Sequence, residues 1–426
     1  MTRSSADTPG AAQAATHLSG VAGYLDAAAT APLRPEALAA MLAVWDSGQA
    51  NASSVHSAGF AARTEVDAAR QRIARALGAR PGEVIFTSGG TEANTLAVVG
   101  LALARPRGRH IVTSAIEHPS VLESCRYLER VFGFELTVVP VDGGGRVSPE
   151  AVAAALRPDT TLLSIGLANA EVGTVQPLPA LAAIAAPLGV PVHTDAVQAA
   201  ASLPVSFGSV AESAARSGTG SAPASVPPAT AWPGGGITAM TVASHKYGGP
   251  QGVGALLLRS GTPIEPVLHG GGQERGVRSG TENVAGVAGF AAAVTAASAA
   301  VGTSALALLR SRDRVIERVL AEVPGAALTG DAQERLPGHA SFTVARVSGE
   351  SLLVALDTAG LAVSSGSACA AGQSEPSPVL LAMGVAPELA QTALRFTLPE
   401  PLSEDTVDRI VAVLRAEVSR ATGVRA

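Results

Sequence analysis

The sequence predicts an α/β protein: a large, doubly wound, mostly parallel sheet domain followed by a smaller α+β domain. Short apolar runs alternate with helical stretches between about residues 84 and 258, as expected for strands joined by helical crossovers. Polar residues and glycines follow several of these runs, at the strand ends where open α/β sheets bind ligands. After a long apolar helix the alternation stops, which indicates the second domain.

The elements follow in order along the chain. Residues 24–32 are predicted to form a short strand that runs into a turn. Strands of the large domain are predicted at Val84–Thr87, His110–Thr113, Glu135–Val141, Thr161–Gly166, Val190–His193, Ile237–Ala243 and Val253–Leu258. Helices are predicted at Pro35–Trp45, Ala61–Leu77, Glu92–Ala104, Pro119–Phe132, Pro149–Leu156 and Leu178–Leu188. The smaller domain is predicted to contain strands near Ala340–Val347 and Leu394–Leu398 and a final helix with Ser403 as N-cap.

The domain boundaries follow from composition. Residues 1–20 lack an apolar core and are predicted to be a disordered leader rather than a signal peptide. Residues 21–300 form the large domain, and its Ser-, Ala-, Gly- and Pro-rich stretch 206–236 is predicted to be a flexible insertion. Residues 301–426 form the small domain, which part of the N-terminal segment joins.

Composition excludes several classes of function. The net charge of -5 gives no electrostatic footprint for direct binding of nucleic acid or an anionic membrane. The two cysteines, Cys125 and Cys369, exclude a disulfide scaffold and indicate a reducing, cytoplasmic location. Residues 284–309 carry no charge, but they are rich in small residues. We therefore interpret them as a buried helix between the two domains rather than a membrane span.

Lys246 is the first candidate catalytic residue. It follows the apolar run Ile237–Ala243, and the glycines after it break the chain. A lysine at a strand end can form a Schiff base when burial or a neighbouring cation lowers its pKa. Taken alone, this lysine is better explained as a strand-end charge that reaches solvent.

Two further strand ends change that interpretation. Thr87–Glu92, T-S-G-G-T-E, joins a strand to a helix and offers free backbone N–H groups to a phosphate. Asp195 follows another strand and could pair with a protonated pyridine nitrogen, although an aspartate there could equally cap a helix. A lysine, a phosphate loop and an aspartate at three strand ends together indicate pyridoxal 5′-phosphate as the cofactor.

From about Tyr24 onward the chain resembles cysteine desulfurases of the NifS/IscS type, which are class V aminotransferase-like enzymes of pyridoxal-phosphate fold type I. The motifs that carry the resemblance are Y-L-D-A-A-A-T, F-T-S-G-G-T-E-A-N, I-E-H-P-S-V, N-A-E-V-G-T-V-Q-P, H-T-D-A-V-Q, S-H-K-Y-G-G-P-Q-G, H-G-G-G-Q-E-R-G-V-R-S-G-T, S-S-G-S-A-C and L-R-F-T-L.

The resemblance implies roles for matching residues around the cofactor ring. Lys246 would form the Schiff base and move the substrate α-proton. Asp195 would pair with the pyridine nitrogen, and Gln198 would bind the ring hydroxyl. His118 would stack on the ring and transfer protons, while Asn169 would orient ring and substrate.

It also implies how phosphate and substrate are held. The phosphate would be bound by Gly90, Thr91, His245 and Thr281, the last of these reaching in from the partner subunit of a homodimer. Arg395 would clamp the substrate carboxylate, a bidentate task suited to a guanidinium. Viewed singly, each of these residues also has an ordinary explanation as a loop, core or surface polar group.

Cys369 determines which reaction is expected. It lies in the small-residue run V-S-S-G-S-A-C-A-A-G, which should be mobile and suits a thiol that moves between two places. The resemblance implies that its thiolate takes sulfur from L-cysteine as a persulfide, releases L-alanine and passes the sulfur to an acceptor. In the family the acceptor is an iron–sulfur scaffold or a tRNA-thiolation protein, and the cysteine could transiently ligate a cluster. Cys125 is interpreted as inert core filler, and no resident metal is expected.

One motif departs from the family pattern, and two other functions compete with that of a cysteine desulfurase. Relatives usually carry a hydroxyl three positions before the lysine, where this chain has Ala243. Either Ser244 takes over that phosphate contact, or the phosphate is held by one hydrogen bond fewer. A selenocysteine lyase or other β-eliminating class V enzyme is disfavoured by Cys369 in its loop. A non-catalytic sulfur-carrier or scaffold subunit is disfavoured by the joint presence of all four expected catalytic and cofactor residues: Lys246, Asp195, His118 and Cys369.

Overall fold

A computed structural model describes residues 23–48, 50–104, 107–208, 235–365 and 375–423. The predicted leader, residues 209–234 of the predicted insertion, and Cys369 lie outside the described residues. The helices are α1 Pro35–Asp46, α2 Ser57–Ala76, α3 Gly90–Ala104, α4 Pro119–Phe132, α5 Pro149–Ala155, α6 Leu178–Ala185, α7 Val284–Glu322, α8 Gly349–Thr358, α9 Pro378–Ala382, α10 Pro387–Ala390 and α11 Glu404–Thr422. The strands are β1 Val84–Thr87, β2 His110–Ser114, β3 Glu135–Val139, β4 Thr160–Ser164, β5 Val192–Asp195, β6 Ala239–Ala243, β7 Gly254–Leu258, β8 Ala326–Leu328, β9 His339–Val344, β10 Ser364–Ser365 and β11 Leu394–Thr397.

The large sheet of the described residues has the strand order β1-β7-β6-β5-β4-β2-β3. Strands β2 to β6 pair in parallel, and β7 is antiparallel to both of its neighbours. The connection from β6 to β7 is too short for a crossover helix, which explains the reversal. The prediction of a mostly parallel sheet is confirmed.

Both faces of this sheet are covered, as a doubly wound fold requires. On β1, Val84 and Phe86 belong to one buried cluster, while Ile85 belongs to another on the opposite face. Helices α3 and α4 supply the second cluster, and α2, α6 and α7 contribute to the first. Because strands buried on both faces have apolar side chains in both directions, they appear in the sequence as continuous apolar runs.

Helix α7 contributes to the cores of both sheets. Its first half packs through Phe290 and Val294 into the core of the large sheet, and its second half packs through Val315 and Val319 into that of the small sheet. Among the described residues, α7 is the one helix that is long enough and apolar enough to cross a membrane. However, 56% of its most apolar 18-residue stretch is buried inside the protein. The interpretation as a buried connecting helix is confirmed. The boundary predicted at residue 300 falls inside this helix.

The small sheet has the order β10-β11-β9-β8, with antiparallel neighbours. Residues 24–32, predicted as a strand and turn, instead form single bridges from Tyr24 to Ala362 and from Asp26 to Thr397. The chain turns directly after Asp26, which prevents a longer ladder. This N-terminal stretch therefore joins the small sheet at one end and approaches the large sheet at the other.

Local signals fix the ends of the elements that carry polar groups. His118 caps α4, with Pro119 in its first turn and Gly133 in the left-handed conformation at its end. Ser403 caps α11, as predicted, by accepting a hydrogen bond from the Thr406 amide.

Candidate active site

Five strand ends meet at one edge of the large sheet. Strand β1 is parallel to β6, because both pair antiparallel with β7, so the carboxyl ends of β1, β2, β4, β5 and β6 lie at the same edge. The residues that follow these strands are the Thr87–Gly90 loop, His118, Asn169, Asp195 and Lys246. The fold therefore brings the predicted ring and phosphate residues together.

Lys246 ends a one-turn helix, Ser244–Lys246, that directly follows β6. Its Nζ is partly buried and donates hydrogen bonds to the carbonyl oxygens of Ala28 and Ala29, the second at 2.9 Å. The amine is thus held at the sheet edge by the N-terminal segment and does not extend freely into solvent. This placement contradicts the interpretation of Lys246 as a simple surface charge.

Asp195 is held by two donors at the end of β5. Asn94 donates a 2.7 Å hydrogen bond from Nδ2 to Oδ2, and the Val197 amide donates at 2.9 Å to Oδ1. Asn94, which is 1% exposed, had no predicted role although it lies in the quoted motif T-E-A-N. The sequence feature that could have identified Asn94 is its position one helical turn after the phosphate loop.

His118 presents one ring nitrogen to the site. Its Nδ1 contacts Ser120 Oγ at 2.7 Å and accepts the Ser120 amide at 3.1 Å. This use of Nδ1 leaves Nε2 as the atom available to a ligand. The His118 side chain is exposed, yet the protein around the ring removes enough water to lower the pKa of His118. Asp195 opposes that shift, and the charge of Lys246 adds to it.

Glu117 lies buried behind His118 and was not predicted to matter. Its carboxylate accepts Ser114 Oγ at 2.5 Å and the Gly166 amide at 2.8 Å, which links the ends of β2 and β4. Burial raises the pKa of Glu117 to about 7; the two hydrogen bonds oppose this shift, and the charge of Asp195 adds to it. A carboxyl group that titrates near neutrality therefore lies beneath the site.

The phosphate loop is built by close approach of main chains. Gly254 on β7 lies against Gly89, and a Cβ at position 254 would come within 2.7 Å of the Gly89 carbonyl carbon. Helix α3 begins at Gly90, and its first-turn amides have no intrahelical acceptor. The Ser88 amide is already used, because it donates to the Glu92 carboxylate at 2.7 Å. Gly90 and Thr91 therefore begin an anion-binding helix terminus.

Not every predicted phosphate residue points to this terminus. His245 contacts Thr30 Oγ1 through Nδ1 at 3.1 Å, and burial lowers its pKa to about 4, with Lys246 adding to the shift. Ser244 is fully buried and its Oγ packs against Gly249, so its hydroxyl is not presented at the loop. Val197 and Ala243 both face Gly90, with Val197 Cγ2 at 3.0 Å and Ala243 Cβ at 3.5 Å from where a Gly90 Cβ would be.

The three remaining predicted cofactor residues either hydrogen-bond to nearby main chain, as Asn169 and Gln198 do, or are exposed, as Thr281 is. Asn169 fixes its own loop, because Oδ1 accepts the Glu171 amide and Nδ2 donates to the Ile116 carbonyl, both at 2.8 Å. Gln198 donates to the Ala28 carbonyl at 3.0 Å, so it lies beside the Lys246 amine. Thr281 is exposed on the loop that precedes α7.

Arg395 lies on β11 of the small sheet and is 3% exposed. Its Nη1 donates to the Ala170 carbonyl at 3.0 Å, which places it beside the Asn169 loop of the large sheet. Its Nη2 pairs with Asp26 Oδ1 at 2.7 Å. The interpretation of Arg395 as a strand-surface charge is wrong, because the guanidinium is buried between the two sheets.

The two cysteines differ in what the structure describes. Cys125 is a buried free thiol on α4, and burial raises its pKa to about 12, with Glu117 adding to the shift. The interpretation as inert core filler is confirmed. Cys369 lies outside the described residues, but the strand before it pairs Ser364 with Arg395. The cysteine segment thus begins beside the buried arginine.

The residues at the sheet edge fit pyridoxal phosphate. Lys246 supplies an amine, Asp195 a carboxylate held by donors, and the terminus at Gly90 an anion site. Each group is positioned by a different strand of the same sheet, as this cofactor's ring, aldehyde and phosphate require.

Comparisons with known proteins agree with this site. The family described as Aminotransferase class-V matches residues 23–211 and 235–410. The chain is 43% identical over 405 residues to an IscS-like cysteine desulfurase of Mycobacterium tuberculosis, covering 93% of this chain and 96% of that protein. It is 42% identical over 400 residues to a cysteine desulfurase IscS of Dictyoglomus turgidum, covering 92% and 95%.

Solved structures share the fold. A NifS-like protein that is 31% identical superposes with a TM-score of 0.81 and covers 93% of this chain and 99% of its own. A structure titled "SspA in complex with cysteine" has a TM-score of 0.73 at 30% identity, covering 89% of this chain and 100% of that chain. The chain therefore belongs to the class V aminotransferase family of pyridoxal-phosphate-dependent enzymes and has the fold-type I architecture.

Proposed function

We propose that this chain acts as a cysteine desulfurase through the groups gathered at the edge of its large sheet. The chain is a pyridoxal-phosphate-dependent enzyme, and its similarity to cysteine desulfurases covers 93% of its length. The observation that carries the proposal is that Lys246 and the buried Arg395 both contact the turn of residues 26–29, while Asp195 ends the strand that pairs in parallel with the one before Lys246.

Around the cofactor, each residue has one task. The bound cofactor supplies an electron sink for the pair left on the substrate Cα when its proton is removed. Lys246 binds the cofactor through Nζ and moves the proton at Cα. Asp195 holds a proton at the pyridine nitrogen, and Gln198 binds the ring hydroxyl. His118 covers the ring and transfers protons through Nε2, while Asn169 orients ring and substrate through its ordered loop.

The phosphate is held at the start of α3. Gly90 and Thr91 supply main-chain donors, whereas His245, on the Lys246 turn, has its Nδ1 on Thr30 and offers only Nε2 to the phosphate. Ser244 remains the weakest of the predicted contacts, because its hydroxyl is buried against Gly249. Thr281 would complete the site from the partner subunit of a homodimer.

Arg395 and Cys369 act on the substrate, L-cysteine. Arg395 binds the α-carboxylate, which orients the substrate sulfur toward the segment that carries Cys369. The Cys369 thiolate forms a bond to that sulfur as the substrate Cβ–S bond breaks, and protonation of the remaining carbon skeleton yields L-alanine. The persulfide then passes to an acceptor protein, an iron–sulfur scaffold or a tRNA-thiolation protein, in the cytoplasm.

Two variants test this proposal. The purified chain should show a visible absorption band after incubation with pyridoxal phosphate, and borohydride should bleach it. Lys246→Ala should lack that band, because its side chain has no amine. Cys369→Ala should keep the band but lose alanine and sulfide release from L-cysteine. A colourless protein, or full desulfuration by Cys369→Ala, would contradict the proposal.

A further inference from the structure

The motif Y-L-D-A-A-A-T folds into a tight turn that no cofactor role accounts for. The Asp26 carbonyl oxygen accepts three hydrogen bonds: from the amides of Ala29 at 3.0 Å and Thr30 at 3.3 Å, and from Tyr24 Oη at 3.0 Å. The single Tyr24 hydroxyl proton is shared with the Thr30 carbonyl, which lies 2.7 Å from Oη. The main chain at Asp26 is therefore fixed from within the turn.

The same turn is anchored on both sheets. On the small sheet, the Ala27 amide donates to the Thr397 carbonyl at 3.1 Å. On the large sheet, the carbonyls of Ala28 and Ala29 accept from Lys246 Nζ. Because the main chain is held on two sides, the Asp26 side chain can change its partner without displacing the turn.

The partner of Asp26 is the arginine that the proposed function assigns to the substrate. Asp26 Oδ1 lies 2.7 Å from Arg395 Nη2, and the two side chains are 21% and 3% exposed. Arg395 Nε is buried and has no hydrogen-bond partner among the described residues. The guanidinium thus has the Nε donor without an acceptor among the described residues, and Asp26 is the carboxylate with which Nη2 pairs.

We propose that Asp26 is a place-holder for the substrate carboxylate. It neutralises and aims the buried Arg395 while no amino acid is bound, and it gives up Nη2 when an α-carboxylate arrives. Two carboxylates on one guanidinium repel each other, so Asp26 lowers the affinity for every carboxylate ligand and speeds its release. The partly exposed Asp26 side chain then turns to water. This inference rests on the proposed role of Arg395.

The test measures binding of L-alanine, the product, which has no sulfur to transfer. The cofactor-loaded chain is titrated with L-alanine, and the dissociation constant is read from the visible spectrum. Asp26→Asn removes the charge and keeps the shape, and it should lower that constant about fivefold. Asp26→Ser, which keeps an acceptor oxygen without the charge, should do the same. Asp26→Glu keeps the charge and should bind no more tightly than the unchanged chain.

Two controls isolate the charge effect. L-alaninamide has no carboxylate, so its affinity should be the same with Asp26 and with Asn at that position. Asp408→Asn removes the same charge from an exposed pair with Arg318 and should leave L-alanine binding unchanged. Unfolding temperatures identify any variant that does not fold, and Asp26→Ser then replaces it.

Each outcome decides the question. Unchanged or weaker binding of L-alanine in the folded Asp26→Asn and Asp26→Ser variants overturns the place-holder role. Tighter binding of L-alaninamide as well would overturn it, since the gain would not depend on the ligand's charge. Arg395→Lys separates this inference from the proposed function: if that variant binds L-alanine as before, the substrate role of Arg395 is wrong. If it binds weakly while the Asp26 variants are unchanged, only the place-holder role fails.

Discussion

The Asn94 amide nitrogen lies 2.7 Å from Asp195 Oδ2, and the same nitrogen lies 3.0 Å from Ser120 Oγ. Asn94 stands on α3, one turn after the phosphate loop, while Asp195 ends β5 and Ser120 begins α4. One buried side chain thus connects the phosphate terminus, the expected pyridine partner and the helix that His118 caps. Its position makes it a positioning residue for Asp195.

Asn94→Ala should weaken pyridoxal-phosphate binding roughly tenfold, because the carboxylate that pairs with the ring loses a charged hydrogen bond. Equilibrium dialysis followed by absorption measures the affinity. Asn283→Ala removes the N-cap of α7, where Oδ1 accepts the Gly286 amide at 2.9 Å, and serves as the control. That variant should lose stability without losing cofactor affinity. Equal affinity in Asn94→Ala and the unchanged chain would show that Asn94 does not hold Asp195.

Gly254→Ala should displace the phosphate loop, since its new methyl group would lie 2.7 Å from the Gly89 carbonyl carbon. We expect a loss of about 2 kcal/mol in the free energy of unfolding, together with weaker cofactor binding. Gly302→Ala on α7 meets no atom within 4 Å and should be neutral or stabilising. Urea denaturation measures both variants, and a neutral Gly254→Ala would mean that the loop has room to move.

Glu117 should make stability depend on pH. Its pKa is about 7 when folded and 4.5 when exposed, so between these values the folded state binds more protons than the unfolded state. The stabilising contribution of Glu117 to the free energy of unfolding is fully present below pH 4.5 and is lost as the pH rises to about 7. The shift corresponds to roughly 3 kcal/mol.

Glu117→Gln removes that titration and keeps the shape of the side chain. The free energy of unfolding of the variant, minus that of the unchanged chain, should therefore rise across this pH window. Urea denaturation of the cofactor-free chain at closely spaced pH values measures it. Parallel curves for the two proteins would contradict the assignment.

Glu274→Ala should destabilise the protein by about 3 kcal/mol, because it removes the buried carboxylate partner of Arg70 and leaves only the exposed Asp67 carboxylate, 3.9 Å from Nε. The two side chains form a bidentate pair at 2.7 and 2.8 Å, and Glu274 also accepts the Phe86 amide on β1. Glu274 and Arg275 adopt left-handed backbone angles, φ 48° and 59°, so this pair also holds a strained loop.

A double-mutant cycle with Arg70→Met measures the coupling between the two side chains. The exposed pair Arg318–Asp408 provides the comparison and should couple by less than about 1 kcal/mol. Coupling of similar size in both pairs would show that burial adds nothing to the first.

Thiol labelling should distinguish the two cysteines. A neutral alkylating reagent should modify Cys369 in the native chain and leave Cys125 untouched, because Cys125 is buried and its pKa is raised to about 12. Mass spectrometry of digested protein identifies the labelled site. In Cys369→Ala, label should appear only after denaturation, and native labelling of Cys125 would show that helix α4 opens readily.

Much of this protein could be predicted from sequence because its signals are local. The apolar runs of β1 and β2 and the Pro–Gly limits of α4 specify elements without reference to distant residues. Lys246, Asp195 and the Thr87–Gly90 loop were recognisable because each follows a strand, and the shared direction of parallel strands places their ends together. The resemblance to a known family then supplied roles for these residues.

Tertiary structure alone decided which side chains meet across long separations. The pairing of Asp26 with Arg395 joins residues 369 positions apart, and no local pattern connects them. Likewise, Asn94 reaches Asp195 and Glu117 reaches Gly166 only once the sheet is assembled. The direction of the Ser244 hydroxyl, inward against Gly249, depends on the turn after β6. Local sequence fixes which groups are available at the strand ends, whereas their partners depend on how two sheets and an N-terminal turn pack together.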